Sequence, residues 1–112
     1  MTFVLVHGAS HGGWCWKWVA QLLRQAGHVV HTPTQTGLGE RRHLATPDIS
    51  MQTHVDDTVN VFKYEDLSDV VLVGHSNGGV VISKTAEEVP AGVRKLIYLA
   101  AVVLEDGEAV QD

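Results

Sequence analysis

Four short apolar runs limit what this chain can fold into: Phe3-Val-Leu-Val6, His28-Val-Val-His-Thr32, Val70-Val-Leu-Val73 and Leu96-Ile-Tyr-Leu-Ala-Ala101. The first, third and fourth are β-branched or aliphatic without polar alternation. Strands covered on both faces read this way, and they belong to parallel sheets. The second run alternates and suits a sheet edge. Helical period fills the gaps. Trp14, Trp18 and Leu22 recur every fourth residue beside Val19, Leu23 and Ala26, which predicts Trp14 and Trp18 in the core and Trp16 half exposed, with Gly27 as the stop. Ser50 is placed to cap a second helix whose stripe is Met51, Val55, Val59 and Phe62. Gly78, Val81, Ile82, Thr85, Ala86 and Val89 form a third, which Pro90 ends. Strands alternating with helices give βαβ units joined by right-handed crossovers. The expected fold is α/β, a parallel sheet of about four strands with helices on both faces.

The length of 112 residues suits one domain, and 45% hydrophobic with 19% charged residues excludes a disordered chain. The net charge of −5, with neither sign gathered into a block, argues against nucleic acid and anionic membranes as partners. Cys15 is the only cysteine, so no internal disulfide forms. The first residues lack a basic leader region, and no run reaches the roughly 20 apolar residues of a membrane span. A cytoplasmic protein is expected. Residues Pro33 to Pro47 contain two prolines, Gly37, Gly39 and the Arg41-Arg42 pair without apolar period. A connector of that length is usually functional or mobile, and it is expected over the carboxyl ends of the strands and less ordered than the helices.

The chemistry concentrates in two places. In Val70 to Gly79 a G-x-S-x-G pattern, Gly74, Ser76 and Gly78, directly follows a buried strand and precedes a helix. A serine in so tight a turn takes a strained backbone, and its neighbours two residues away must be very small. The turn lifts the hydroxyl above the sheet, where a helix N-terminus favours negative charge. The second place is His7-Gly-Ala-Ser-His-Gly-Gly13, also between strand and helix. In a parallel sheet both loops leave the carboxyl ends of their strands and can meet. The backbone N–H groups of Ala9 and Asn77 would then form an oxyanion hole for a carbonyl under attack. The rival readings fail. A dinucleotide loop needs glycine where Ser10 stands, and no G-K-[ST] follows for a phosphate loop. His7 and His11 lack a carboxylate or cysteine cluster, so neither a metal nor another cofactor is expected.

These residues resemble the N-terminal half of an α/β-hydrolase, in the branch of plant methylesterases, salicylate-binding methylesterase, hydroxynitrile lyases and small bacterial esterase-like relatives. The matching pieces are Phe3 to Ala9, Gly12 to Trp18, Ala26-Gly-His28 and Gly74 to Gly79, with Leu38-Gly-Glu40 and Glu105-Asp-Gly107 fitting the bacterial relatives. The resemblance implies strand order 2-1-3-4, Ser76 as nucleophile, Ala9 and Asn77 as oxyanion donors, and Gly8, Gly74 and Gly78 as the small residues of loop and elbow. It implies hydrolysis of small-molecule esters through an acyl-enzyme on Ser76. It also implies an acid and a histidine base after the serine, yet no histidine follows Ser76 here. His75 is expected to point away, and His11 would have to swing in from the other loop. Glu105 and Asp106 follow the fourth strand but have no base to orient. Residues 1–112 therefore read as one incomplete α/β-hydrolase-like domain. Its expected partners are an ester, and either a missing C-terminal half or a second copy docked on the Leu96–Ala101 edge, which no proline or lysine protects. The alternatives are a non-catalytic binding or scaffold fragment and a lyase acting on cyanohydrin-like substrates.

Overall fold

Alternation along two strands builds the layers. The computed structural model describes residues 1–100. Its elements are β1 (Thr2–Val6), a 3-10 turn (Gly13–Trp16), α1 (Lys17–Gln25), β2 (Val29–His31), a second 3-10 segment (Gly39–Leu44), α2 (Met51–Tyr64), β3 (Val70–His75), α3 (Gly78–Glu88), a third 3-10 turn (Pro90–Gly92) and β4 (Val93–Leu99). The four strands run parallel in the order β2-β1-β3-β4, as the resemblance implied. Successive residues of a strand face opposite ways. Val4, Val6, Val70 and Leu72 meet Val55 and Phe62 of α2 and Val81 and Ile82 of α3, while Leu5, Val71 and Val73 meet Trp16 and Ala20 on the other face. Helices cover both faces.

Local chemistry sets the helix ends. Ser50 Oγ accepts the Thr53 N–H while Thr53 Oγ1 accepts the Ser50 N–H, a reciprocal cap that starts α2. Gly27, at φ 91, ends α1 with the His28 N–H on Leu23 O and its own N–H on Arg24 O. That pair of bonds is the Schellman arrangement.

Two expectations need correction. Trp14, Trp18 and Leu22 do not face the core: Trp18 is 69% and Leu22 67% exposed, while Trp16 is only 6% exposed. The α-helix begins at Lys17, after a 3-10 turn, and Trp16, Ala20 and Leu23 form an equally regular stripe. The sheet takes that stripe because the small Ala20 lets the helix lie close against the strands. The Trp16 Nε1–H finds no hydrogen-bond partner among the described residues. The fourth strand, moreover, begins at Val93 and therefore carries Arg94 and Lys95, with a bulge opposite Val70 and Val71. Its edge is charged at one end. Ala101, Glu105 and Asp106 lie outside the described residues, and Ala100 lies beyond β4. Among the described residues no helix is long and apolar enough to cross a membrane.

Candidate active site

Ser76 joins β3 to α3 at φ 56, a left-handed backbone rarely adopted outside glycine and a local store of strain. The turn is pinned on both sides. The Ser76 N–H donates to Leu99 O at 3.4 Å, and Ser76 O accepts the Gly79 N–H at 3.0 Å. Glycine is obligatory on either side for want of space. A Cβ on Gly74 would lie 2.5 Å from Gly78 O, and one on Gly78 would lie 2.6 Å from Val6 O.

The loop after β1 packs directly on this turn. A Cβ on Gly8 would lie 3.1 Å from Ser76 Cβ and 3.7 Å from His11 Nδ1, so the two loops and His11 converge there. The His11 ring stands 6.0 Å from that of His75 and 6.1 Å from that of Trp14, and Trp16 stands edge-on to His75 at 6.3 Å. Asn77 takes no side-chain cap bond at the start of α3. Among the described residues neither the Ala9 nor the Asn77 N–H donates a hydrogen bond, and Ser76 Oγ has no partner. Ser76 thus sits on a strained backbone turn just before an 11-residue helix, whose N-terminus favours negative charge. Among the described residues no three histidine, cysteine or acidic side chains are grouped to hold a metal.

The Pro33–Pro47 segment lies at the carboxyl end of β1, and hydrogen bonds wire it there. His7 is completely buried. Its Nδ1–H donates to Gly8 O at 2.7 Å, and its Nε2 accepts the Gln35 N–H at 2.9 Å. The Gln35 side chain donates back to His7 O, also at 2.9 Å. Thr34 Oγ1 accepts the Gly13 N–H and donates to Glu40. Thr36 donates twice to Asp57 of α2, and its carbonyl meets His54 Nε2. Burial pulls the His7 pKa below its ordinary value, partly offset by the Gly8 bond. The Thr34 hydroxyl holds the Glu40 carboxyl low. The sequence reading missed this framework, although Thr34-Gln-Thr36 just after Pro33 is a polar run beside a strand end. A separate cleft of about 590 Å³, lined by Thr34, Glu40, Arg41, Asp57 and Tyr64 among others, does not reach Ser76.

The profile of the Alpha/beta hydrolase family matches residues 3–111. The chain belongs to that family. It is 49% identical over 109 residues to the carbendazim hydrolyzing esterase of Nocardioides sp. (strain SG-4G), covering 97% of this chain and 45% of that protein. It is 38% identical over 104 residues to salicylic acid-binding protein 2 of Nicotiana tabacum, covering 88% and 38%. Among solved structures, an extracellular alpha/beta-hydrolase from a Paenibacillus species superposes with a TM-score of 0.88 at 33% identity, covering 96% of this chain and 43% of that one. The chain thus spans less than half the length of these α/β-hydrolase relatives.

Proposed function

We propose that this chain contributes the nucleophile and the oxyanion hole of a serine hydrolase acting on small-molecule esters. The observation that carries the reading is Ser76 at φ 56 with the Gly8 loop packed on it. Ser76 Oγ attacks the ester carbonyl, and the carbonyl oxygen takes up charge between the Ala9 and Asn77 N–H groups. Collapse expels the alcohol, which leaves with a proton from the base, and water then releases the acid. The relatives' names support an ester substrate, since they include esterases, a pyrethroid hydrolase and methylesterases. The base and its acid come from outside the described residues, because no histidine follows Ser76 and its hydroxyl has no partner among them. A domain incomplete over 1–112 fits both facts. Tyr98 and Leu99 on β4 are exposed and the relatives are about twice as long, which supports closure of that edge by further chain or by a second copy.

Fluorophosphonate labelling of the chain with and without Ser76→Ala tests the reading. Labelling that is slow but abolished by the substitution is expected, since an oxyanion hole alone retains roughly 10³-fold catalysis over water in a well-studied protease. Labelling that survives Ser76→Ala would remove Ser76 from the reaction. A non-catalytic binding module predicts no Ser76-dependent labelling even when the rest of the domain is supplied.

A further inference from the structure

The Ala9 N–H shares one peptide unit with the Gly8 carbonyl, and two donors seize that carbonyl. The His7 Nδ1–H meets it at 2.7 Å and the His11 N–H at 3.2 Å. In a trans peptide the C=O and N–H vectors point opposite ways, and the described chain has no cis bond. Holding the carbonyl towards buried His7 therefore aims the Ala9 N–H away from it. We infer that His7 is a positioning residue for the oxyanion hole, acting through the Gly8–Ala9 peptide and held in its Nδ1–H tautomer by the Gln35 backbone. The tautomer follows from the geometry: Nε2 must offer its lone pair to the Gln35 N–H, which leaves the proton on Nδ1. The Gln35 amide closes the arrangement by donating to His7 O, so ring and backbone of His7 are both anchored to one residue 28 positions away. A donor on the carbonyl also polarises the peptide and strengthens its N–H towards an anion.

The inference rests on the assignment of Ser76 and Ala9 above, but its test does not depend on turnover. The chain is compared by NMR as wild type, His7→Asn and His7→Gln. An asparagine amide reaches the Nδ1 position and keeps a donor for Gly8 O. A glutamine amide reaches the Nε2 position, keeps an acceptor for the Gln35 N–H and loses that donor. The residual dipolar coupling of the Ala9 N–H should be preserved in His7→Asn and altered in His7→Gln. Fluorophosphonate labelling of Ser76 should slow by roughly 10- to 100-fold in His7→Gln, below the 10²–10³ of deleting an oxyanion donor, and by clearly less in His7→Asn. A merely structural His7 would slow both variants in step with their loss of thermal stability, and that result overturns the proposal. So does an Ala9 vector unmoved in folded His7→Gln. If neither variant folds, the wild-type nitrogen spectrum decides: a proton on Nε2 of His7 refutes the proposal, and one on Nδ1 coupled to Gly8 supports it. Absent labelling of the wild type even with the rest of the domain supplied, with the Ala9 vector still following the Nδ1 donor, refutes the hydrolase reading and sustains His7 as the residue that orients the Ala9 N–H.

Discussion

At the carboxyl end of β1, buried polar groups are matched, whereas along the outside of α1 large apolar groups are not. His7, Thr34 and Gln35 are buried and hydrogen-bonded, and the loop they hold carries the Ala9 N–H. Trp14, Trp18, Val19 and Leu22 are exposed, with the Lys17 ammonium 5.3 Å over the Trp18 ring and the His11 ring 6.1 Å from that of Trp14. A buried polar group without a partner costs free energy, so the first region must be complete to exist at all. An exposed leucine costs the fold nothing beyond burial not gained. The difference teaches that specific pairing holds the loop at the end of β1, whereas the exposed apolar surface contributes little to folding. Each prediction below presses on one side of that contrast.

The largest effect should come from Gly78→Ala. The new methyl would meet Val6 O at 2.6 Å and His7 O at 3.0 Å, both backbone atoms of β1 that cannot turn aside. Overpacking against side chains costs about 1–3 kcal/mol, and against fixed backbone the loss should exceed roughly 3 kcal/mol in urea unfolding. A loss under about 1 kcal/mol would mean that the turn at Gly78 and the end of β1 are not pressed together.

Smaller, and opposite in sign, is Ser76→Gly. Relieving a non-glycine residue at φ 56 should stabilise the chain by about 1 kcal/mol, at the low end of the 1–3 kcal/mol stored by such residues, while abolishing labelling. Stability gained where reactivity is lost marks strain kept for function. Unchanged or lower stability would show that other contacts hold the turn without strain.

These two predictions concern features legible in the sequence, and the reason is local. A strand buried on both faces shows as an unbroken apolar run, so Val70–Val73 could be read directly, whereas the strand order came only with the family resemblance. The spacing of Gly74, Ser76 and Gly78 encodes the elbow within five residues. The phase of α1 could not be read, because Trp14-Trp18-Leu22 and Trp16-Ala20-Leu23 are both regular and only the sheet chooses between them. The start of β4 was hidden by the charges of Arg94 and Lys95 at a bulge. The bonds of His7 to Gln35 and of Thr36 to Asp57 span 28 and 21 positions, and no periodicity records them.

His7 also gives the matched region a pH signature. Its folded pKa lies below the ordinary 6.5, chiefly through burial, while the Gly8 bond and Glu40 raise it and His54 and His11 lower it. Above pH 6.5 the ring is neutral in both states and its contribution to stability is fully present. As pH falls below 6.5 the unfolded chain takes the proton first, so stability declines until the folded pKa is passed. Urea midpoints should therefore begin to drop as pH falls below 6.5. In His7→Asn that slope should flatten. A slope identical to wild type would deny His7 its neutral buried state.

The smallest effect on folding tests the unmatched side. Leu22→Gln replaces a side chain that is two-thirds exposed with one of similar helix propensity. Its unfolding free energy should move by no more than about 0.5 kcal/mol, against the roughly 2–5 kcal/mol expected of truncating a fully buried leucine such as Leu72. Sedimentation should nevertheless respond, because Trp18, Val19 and Leu22 of α1 and Trp14 of the turn before it are all exposed, and a polar group at position 22 weakens any contact made through them. A fall in self-association with unchanged stability would assign this surface to docking. A loss above about 1.5 kcal/mol in the monomer would instead place Leu22 inside the fold, and the contrast between the two regions would disappear.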